Sequence, residues 1–324
     1  MKNILIIHTG GTISMLENKE TGEVNSTGTH PLTALSDQLK SFAKINEQIM
    51  FDLPSPQITP NHMLELSKEI KKVIADYDGI IVTHGTDTLE ETAYFLDLVL
   101  GTDKPVILTG AMRSSNEIGS DALYNLISSL RVAIEDKSKN KGVLVVMNDE
   151  IHTAENVTKT STSNVATFQS PQFGPLGLIT KDSVIFHRTT LFRHVQTIDK
   201  ISKNVFLLKA YAGMDEQILN SLSAARPDGL VIEGLGQGNL PKNTLEPIRK
   251  LIKENIPVIL VSRCYQGVVQ PTYSYDGGGK QLKEMGVIFA RGISGPKARI
   301  RLLIALEITQ NMNLLRDTFE KFDG

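Results

Sequence analysis

Three short turns carry the residue types that nucleophilic chemistry needs: His8-Thr9-Gly10-Gly11-Thr12-Ile13, Thr83-His84-Gly85-Thr86-Asp87-Thr88 and Asn156-Val157-Thr158-Lys159-Thr160. A threonine hydroxyl attacks little at neutral pH unless a neighbouring base takes its proton. Lysine serves as that base where burial or another cation favours its neutral amine. Thr86, Lys159 and Asp87 therefore form a candidate relay of hydroxyl, amine and carboxylate, and Thr12 supplies a further hydroxyl. Asp87 is also suited to bind a substrate ammonium group. Gly10, Gly11 and Gly85 let the backbone approach a ligand closely and present N–H donors to an oxyanion.

Positioning these turns requires strands. The first two follow the apolar runs Ile4–Ile7 and Gly79–Val82, and further runs occur at Val106–Leu108 and Val143–Val146. Amphipathic stretches over 61–76, 89–100 and 120–134 separate them with helical spacing. Thr59-Pro60 suits an N-cap followed by proline at the first helical position. Strands alternating with helices predict an α/β fold with a parallel sheet covered on both faces. In such sheets ligands bind beyond the carboxyl ends of the strands, where these turns project. The polar, hairpin-like stretch 161–204 breaks the rhythm, which resumes at Val205–Leu208, Gly229–Ile232 and Val258–Val261. The expected organisation is a larger N-terminal parallel-sheet domain over 1–185, a linker over 186–204 and a smaller C-terminal α/β domain over 205–324. The long polar stretch from Ser14 to His30, directly after Thr12, reads as a lid or binding loop.

Composition excludes several classes. The chain has 324 residues, 40% hydrophobic and 22% charged, with a formal net charge of −2. Its length suits about two domains, and its dispersed basic residues lack the footprint of a nucleic-acid binder. No apolar run approaches the roughly 20 residues of a membrane span. Strand-like residues begin at Ile4 with no signal-like apolar segment before them, so a cytoplasmic protein is expected, with a mature secreted form whose signal peptide has been removed as the alternative. The single cysteine, Cys264, precludes an internal disulfide and reads as a small packing residue. The seven histidines show no paired ligand spacing, so no metal site is expected, and His84 reads as a hydrogen-bonding group near the sheet end. Gly234-Leu235-Gly236-Gln237-Gly238 lacks the dinucleotide fingerprint, and no phosphate loop occurs. Lys297, Arg299 and Arg301 alternate with Ala298, Ile300 and Leu302 and read as an exposed face.

These motifs together resemble the bacterial-type L-asparaginases over almost the whole chain. Thr9-Gly10-Gly11-Thr12-Ile13 is similar to that family's first signature, and His84-Gly85-Thr86-Asp87-Thr88 to its second. Thr109-Gly110-Ala111-Met112-Arg113, Met147-Asn148-Asp149, Val157-Thr158-Lys159-Thr160 and Val165-Ala166-Thr167-Phe168 resemble the periplasmic-type branch, here without a signal peptide. The resemblance implies cofactor-free hydrolysis of L-asparagine to L-aspartate and ammonia, with weaker action on L-glutamine. It implies Thr12 as nucleophile of an acyl-enzyme, supported by Thr86, Asp87 and Lys159. Asp87 would hold the α-ammonium and Ser55 the α-carboxylate, with Gly11, Gly85, Thr86 and main-chain Ala111 also lining the substrate. Asn239 would reach the pocket of a neighbouring subunit in a homotetramer whose sites lie at an intimate dimer interface.

The chain departs from the family in three places. It has no tyrosine before Tyr77 where the family lid commonly carries one. Ser55 is followed by Pro56-Gln57, leaving Gln57 to supply a polar contact. Thr272-Tyr273-Ser274-Tyr275 occupies the region of a partner-chain glutamate, which leaves the glutamine-to-asparagine preference open. Two other functions fit the fold: a non-catalytic amino-acid-binding protein, and the amidase subunit of a tRNA-dependent amidotransferase. The joint presence of Thr12, Thr86, Asp87 and Lys159 opposes the first. An early first strand, with no added N-terminal region before it, opposes the second.

Overall fold

The computed structural model describes residues 1–26, 39–190, 195–290 and 292–320. It divides into two units, Met1–Val195 and Gln196–Gly324.

In the first unit the strands in chain order are β1 Asn3–His8, β2 Met15–Glu17, β3 Val24–Ser26, β4 Lys44–Ile49, β5 Gly79–Thr83, β6 Val106–Thr109, β7 Val143–Met147 and β8 Glu150–Thr153. The short strands β9 Thr158–Lys159, β10 Phe168–Gln169, β11 Gly177–Ile179 and β12 Val184–Phe186 follow. The helices are α1 Pro60–Val73, α2 Leu89–Val99 and α3 Ala122–Ile134. Eight strands make one sheet in the order β12-β11-β8-β7-β6-β5-β1-β4. β4, β1, β5, β6 and β7 run parallel, with Ile6 opposite Glu47 on one side and Ile81 on the other. Every residue of β5, β6 and β7 is buried, as expected of strands covered on both faces. Alternate strand residues Ile4, Ile6, Ile81, Ile107 and Leu144 pack in one core with Leu126, Leu130 and Ala133 of α3.

The sheet is mixed, not parallel throughout. Asn148 (φ 49°) and Asp149 (φ 63°) are both left-handed, the requirement of a two-residue hairpin turn that matches strand twist. They reverse the chain from β7 into β8, so Met147 pairs with Glu150 and the sheet continues antiparallel through β11 and β12. Residues 177–186 of the irregular stretch thus complete the main sheet. The start of the expected lid forms the antiparallel hairpin β2–β3, and the rest of that segment, from 27 to 30, lies outside the described residues. The stalk of the hairpin is held by Asn116, whose amide both accepts from Glu17 N–H (2.7 Å) and donates to its carbonyl (2.9 Å). Thr59 caps α1 as expected, and His62 completes a reciprocal capping box by accepting from the Thr59 N–H (3.1 Å).

The second unit has a four-stranded parallel sheet of β13 Val205–Lys209, β14 Gly229–Gly234, β15 Val258–Ser262 and β16 Ile288–Phe289, in that order. Its helices are α4 Gln217–Ala224, α5 Leu245–Lys253, α6 Gly279–Met285, α7 Gly295–Ile308 and α8 Met312–Glu320. The alternating basic residues do not form an exposed face, because helical residues two apart do not share one. In α7, Lys297 is buried, Arg299 Nε donates to the Val205 carbonyl (2.9 Å) and Arg301 lies 5.5 Å over the Phe319 ring. Cys264 is exposed in the turn after β15, so it packs no core.

Candidate active site

The site begins where β1 and β5 end side by side. Thr9 donates both its N–H (3.1 Å) and its hydroxyl (2.9 Å) to the Thr83 carbonyl, tying the first turn to the second strand. Gly11 then adopts φ 86°, ψ −179°, a conformation essentially reserved for glycine. A Cβ on Gly11 would lie 2.2 Å from Gly85 Cα, so the two turns touch backbone to backbone. Thr12 opens a short 3₁₀ turn, Thr12–Ser14, immediately after this contact and is half-buried.

The second turn is tied to two further segments. Ser55, nearly buried, accepts the Asp87 N–H at its hydroxyl (3.1 Å) and the Thr88 hydroxyl at its carbonyl (2.8 Å). A Cβ on Gly85 would meet Ser55 Cβ at 2.7 Å. A Cβ on Gly110 would lie 3.2 Å from Thr86 Cγ2, which brings the buried Ala111 turn against the same group. That turn is held from behind: Asp121 accepts the N–H groups of Met112 and Arg113 (3.0 Å each), and Asn125 donates to the Gly110 carbonyl (3.0 Å).

Lys159 comes from β9. Its side-chain nitrogen Nζ lies 2.9 Å from Thr86 Oγ1 and 2.7 Å from Asp87 Oδ1, joining the three candidate relay residues expected from the sequence. The Lys159 side chain is 15% exposed and that of Asp87 60% exposed, so the relay opens to solvent at its carboxylate end. Glu90, in the first turn of α2, accepts the Thr158 hydroxyl (3.1 Å) and the Lys159 N–H (3.2 Å) at one oxygen. Thr167 Oγ1 donates to the Ser161 carbonyl (2.6 Å) and accepts its N–H (2.8 Å), closing the β9–β10 hairpin. Glu90, Asp121 and Asn125 are not apparent from sequence motifs; an acid in the first turn of a helix is the one visible hint, and for Glu90 alone.

His84 holds the turn without acting as a base. A carbonyl only accepts, so Nδ1 carries the proton donated to Gly85 O (2.7 Å), and Nε2 accepts from the Thr92 hydroxyl (2.9 Å). Complete burial lowers its pKa from 6.5 to about 4, keeping the imidazole neutral.

Thr12, Ser55, Gly11, Gly85, Thr86, Asp87, Ala111 and Lys159 all belong to the first unit and gather around these turns. Asn239 belongs to the second unit, where its side-chain oxygen accepts the Gly279 N–H (3.2 Å). Tyr273 and Tyr275 form a tilted, exposed pair with ring centroids 5.6 Å apart in the same unit. Among the described residues no cluster of three or more His, Cys, Asp or Glu could hold a metal, and no helix is long and apolar enough to cross a membrane.

Thr86, Asp87 and Lys159 thus meet beyond the carboxyl end of parallel strand β5, in an α/β chain of two units. The model described as Asparaginase, N-terminal matches residues 3–192, and that of the Glutaminase/Asparaginase C-terminal domain matches 204–319, so the chain belongs to the asparaginase family. It is 34% identical over 307 residues to an L-asparaginase of Bacillus licheniformis, covering 94% of this chain and 95% of that protein. It is 33% identical to L-asparaginase 2 of Escherichia coli (99% and 94% covered) and 30% identical to a glutaminase-asparaginase of Pseudomonas fluorescens (99% and 91%). The crystal structure of a probable cytoplasmic L-asparaginase from Campylobacter jejuni superposes with a TM-score of 0.87 at 31% identity, covering 99% of this chain and 100% of that one.

Two outcomes follow from the geometry. Gly11→Ala forces a Cβ into Gly85 and a disfavoured backbone, and is expected to destabilise the first unit by at least about 1–3 kcal/mol. An unchanged urea midpoint would mean the turn relaxes freely away from Gly85. Between pH 6.5 and about 4 the unfolded chain binds a proton at His84 that the folded chain refuses, so stability falls as pH drops through that window. The full effect is on the order of 3 kcal/mol. Urea midpoints of wild type and His84→Gln at pH 7 and 4.5 isolate it, since the variant should lose less stability on acidification; equal losses would exclude His84 as the source.

Proposed function

We propose that this enzyme hydrolyses the side-chain amide of L-asparagine to L-aspartate and ammonia, with Thr12 as nucleophile. The observation that carries the reading is the reach of Lys159 to both Thr86 (2.9 Å) and Asp87 (2.7 Å), in a turn packed against the one bearing Thr12. In the first half-reaction Thr12 Oγ bonds to the amide carbon and its proton passes to the departing nitrogen. The C–N bond breaks, ammonia leaves, and an ester of Thr12 remains. Water then attacks the same carbon, the ester C–O bond breaks, and the Thr12 hydroxyl is restored as L-aspartate departs. Thr86 orients that water and passes its proton to Lys159 in its neutral amine form; Asp87 stabilises the resulting ammonium, which returns a proton to the departing Thr12 oxygen and so restores both groups. Asp87 also pairs with the substrate α-ammonium and Ser55 with its α-carboxylate. Gly11 and Gly85 admit the substrate to the backbone, N–H groups of the Gly11 turn receive the oxyanion, and main-chain Ala111 meets the amide. No step requires a cofactor.

L-Glutamine carries the same head group with one more methylene, worth about 1–3 kcal/mol in discrimination, so small changes in the pocket set its rate against that of L-asparagine. Ammonia release from both amino acids by wild type, Thr12→Val and Lys159→Met tests the chemistry. Both variants should fold and lose turnover by orders of magnitude. Wild-type turnover in folded Thr12→Val would remove Thr12 from the nucleophile role.

The assembly in this reading is a cytoplasmic homotetramer in which Asn239 reaches the site of a neighbouring subunit. The family resemblance supports the assembly, and the cytoplasmic relative of known structure supports the location. Light scattering should return the mass of four chains, and Asn239→Ala should raise KM more than it lowers kcat. A monomer with full activity would overturn this arrangement.

A further inference from the structure

We propose that Glu90 is the positioning residue for Lys159, holding its backbone so that the amine spans Thr86 and Asp87 together. The inference rests on the reading of Lys159 as proton acceptor. A lysine side chain has four rotatable bonds, so the placement of its nitrogen depends on how firmly its Cα is held. The strand that carries Lys159 is only two residues long and, among the described residues, pairs with β10 alone. Glu90 supplies a second hold, accepting the Lys159 N–H (3.2 Å) and the hydroxyl of the preceding Thr158 (3.1 Å).

The hold comes from the same block that carries the amine's targets. Thr86 and Asp87 lie just ahead of α2, and Glu90 stands in its first turn, where the helix dipole favours a carboxylate. One short segment, 86–90, therefore grips Lys159 at both ends: the nitrogen through Thr86 and Asp87, the backbone through Glu90. Movement of β9 relative to the threonine turn is resisted at the point where it would separate base from hydroxyl. Glu90 touches no reacting atom; its effect passes through Lys159.

Two conservative variants separate reach from charge. Glu90→Gln keeps the length and an accepting oxygen but loses the charge. Glu90→Asp keeps the charge but withdraws it by one methylene from the Lys159 N–H. With L-asparagine as substrate, Glu90→Asp should lose about 10–100-fold in kcat with little change in KM, the scale of a misplacement near 1 Å. Glu90→Gln should retain most of kcat, and both should keep the wild-type unfolding midpoint within a narrow range. Wild-type kcat in Glu90→Asp, or a loss in Glu90→Gln as large as in Glu90→Asp, would overturn the positioning role. A crystal structure of Glu90→Asp gives a readout independent of turnover. Lys159 Nζ withdrawn from Thr86 Oγ1 supports the inference, and Nζ in place overturns it. Absence of ammonia release from wild type would sink the proposed function and leave that structural comparison to decide the role of Glu90.

Discussion

The site exists because two backbones meet with no side chain between them. Gly11 and Gly85 approach so closely that a Cβ on the first would lie 2.2 Å from the Cα of the second. This contact is available only because β1 and β5 are adjacent, parallel and end together, with Thr9 anchored to the Thr83 carbonyl. Everything else arranges itself around the pair: Ser55 against Gly85, Gly110 against Thr86, and Thr12 one residue beyond Gly11. A Cβ at Gly11 would push the two turns apart, and one at Gly85 would collide first with Ser55.

Lys159 reaches this centre by a different route. It is 72 residues from Asp87 in sequence and arrives on a short strand after the chain has reversed at Asn148-Asp149. The ion pair it makes is too exposed to stabilise the fold much, since pairs of this kind contribute roughly 0–1 kcal/mol. Its worth is geometric, in placing an amine between a hydroxyl and a carboxylate. His84, by contrast, is buried and neutral, and its two hydrogen bonds brace the turn from below. His84 thus holds the turn from a buried position, while the Lys159–Asp87 contact opens to solvent at its carboxylate end.

Much of the fold can be read from the chain because its signals are local. The apolar runs at Ile4, Gly79, Val106 and Val143, and later Val205, Gly229 and Val258, each become a strand, and Thr59-Pro60 starts a helix. Signals that span two periods mislead: Lys297, Arg299 and Arg301 alternate like a strand face, yet lie on a helix that buries Lys297. The antiparallel part of the sheet was hidden in a two-residue turn, since Asn148-Asp149 specifies a reversal only through left-handed φ values at both positions.

By itself the sequence determined the alternation of strands and helices, the glycines that permit close approach, and the residue types that carry the chemistry. Those depend on side-chain period and on the conformational range of each residue, which are properties of short segments. The residue types suggested that Lys159 joins Thr86 and Asp87; tertiary structure alone decided the geometry of that meeting, that Asp121 and Asn125 support the Ala111 turn, and that Glu90 grips the lysine backbone. Each of those contacts joins segments whose distance is set by strand order and register, and no local pattern encodes the distance between two strand ends.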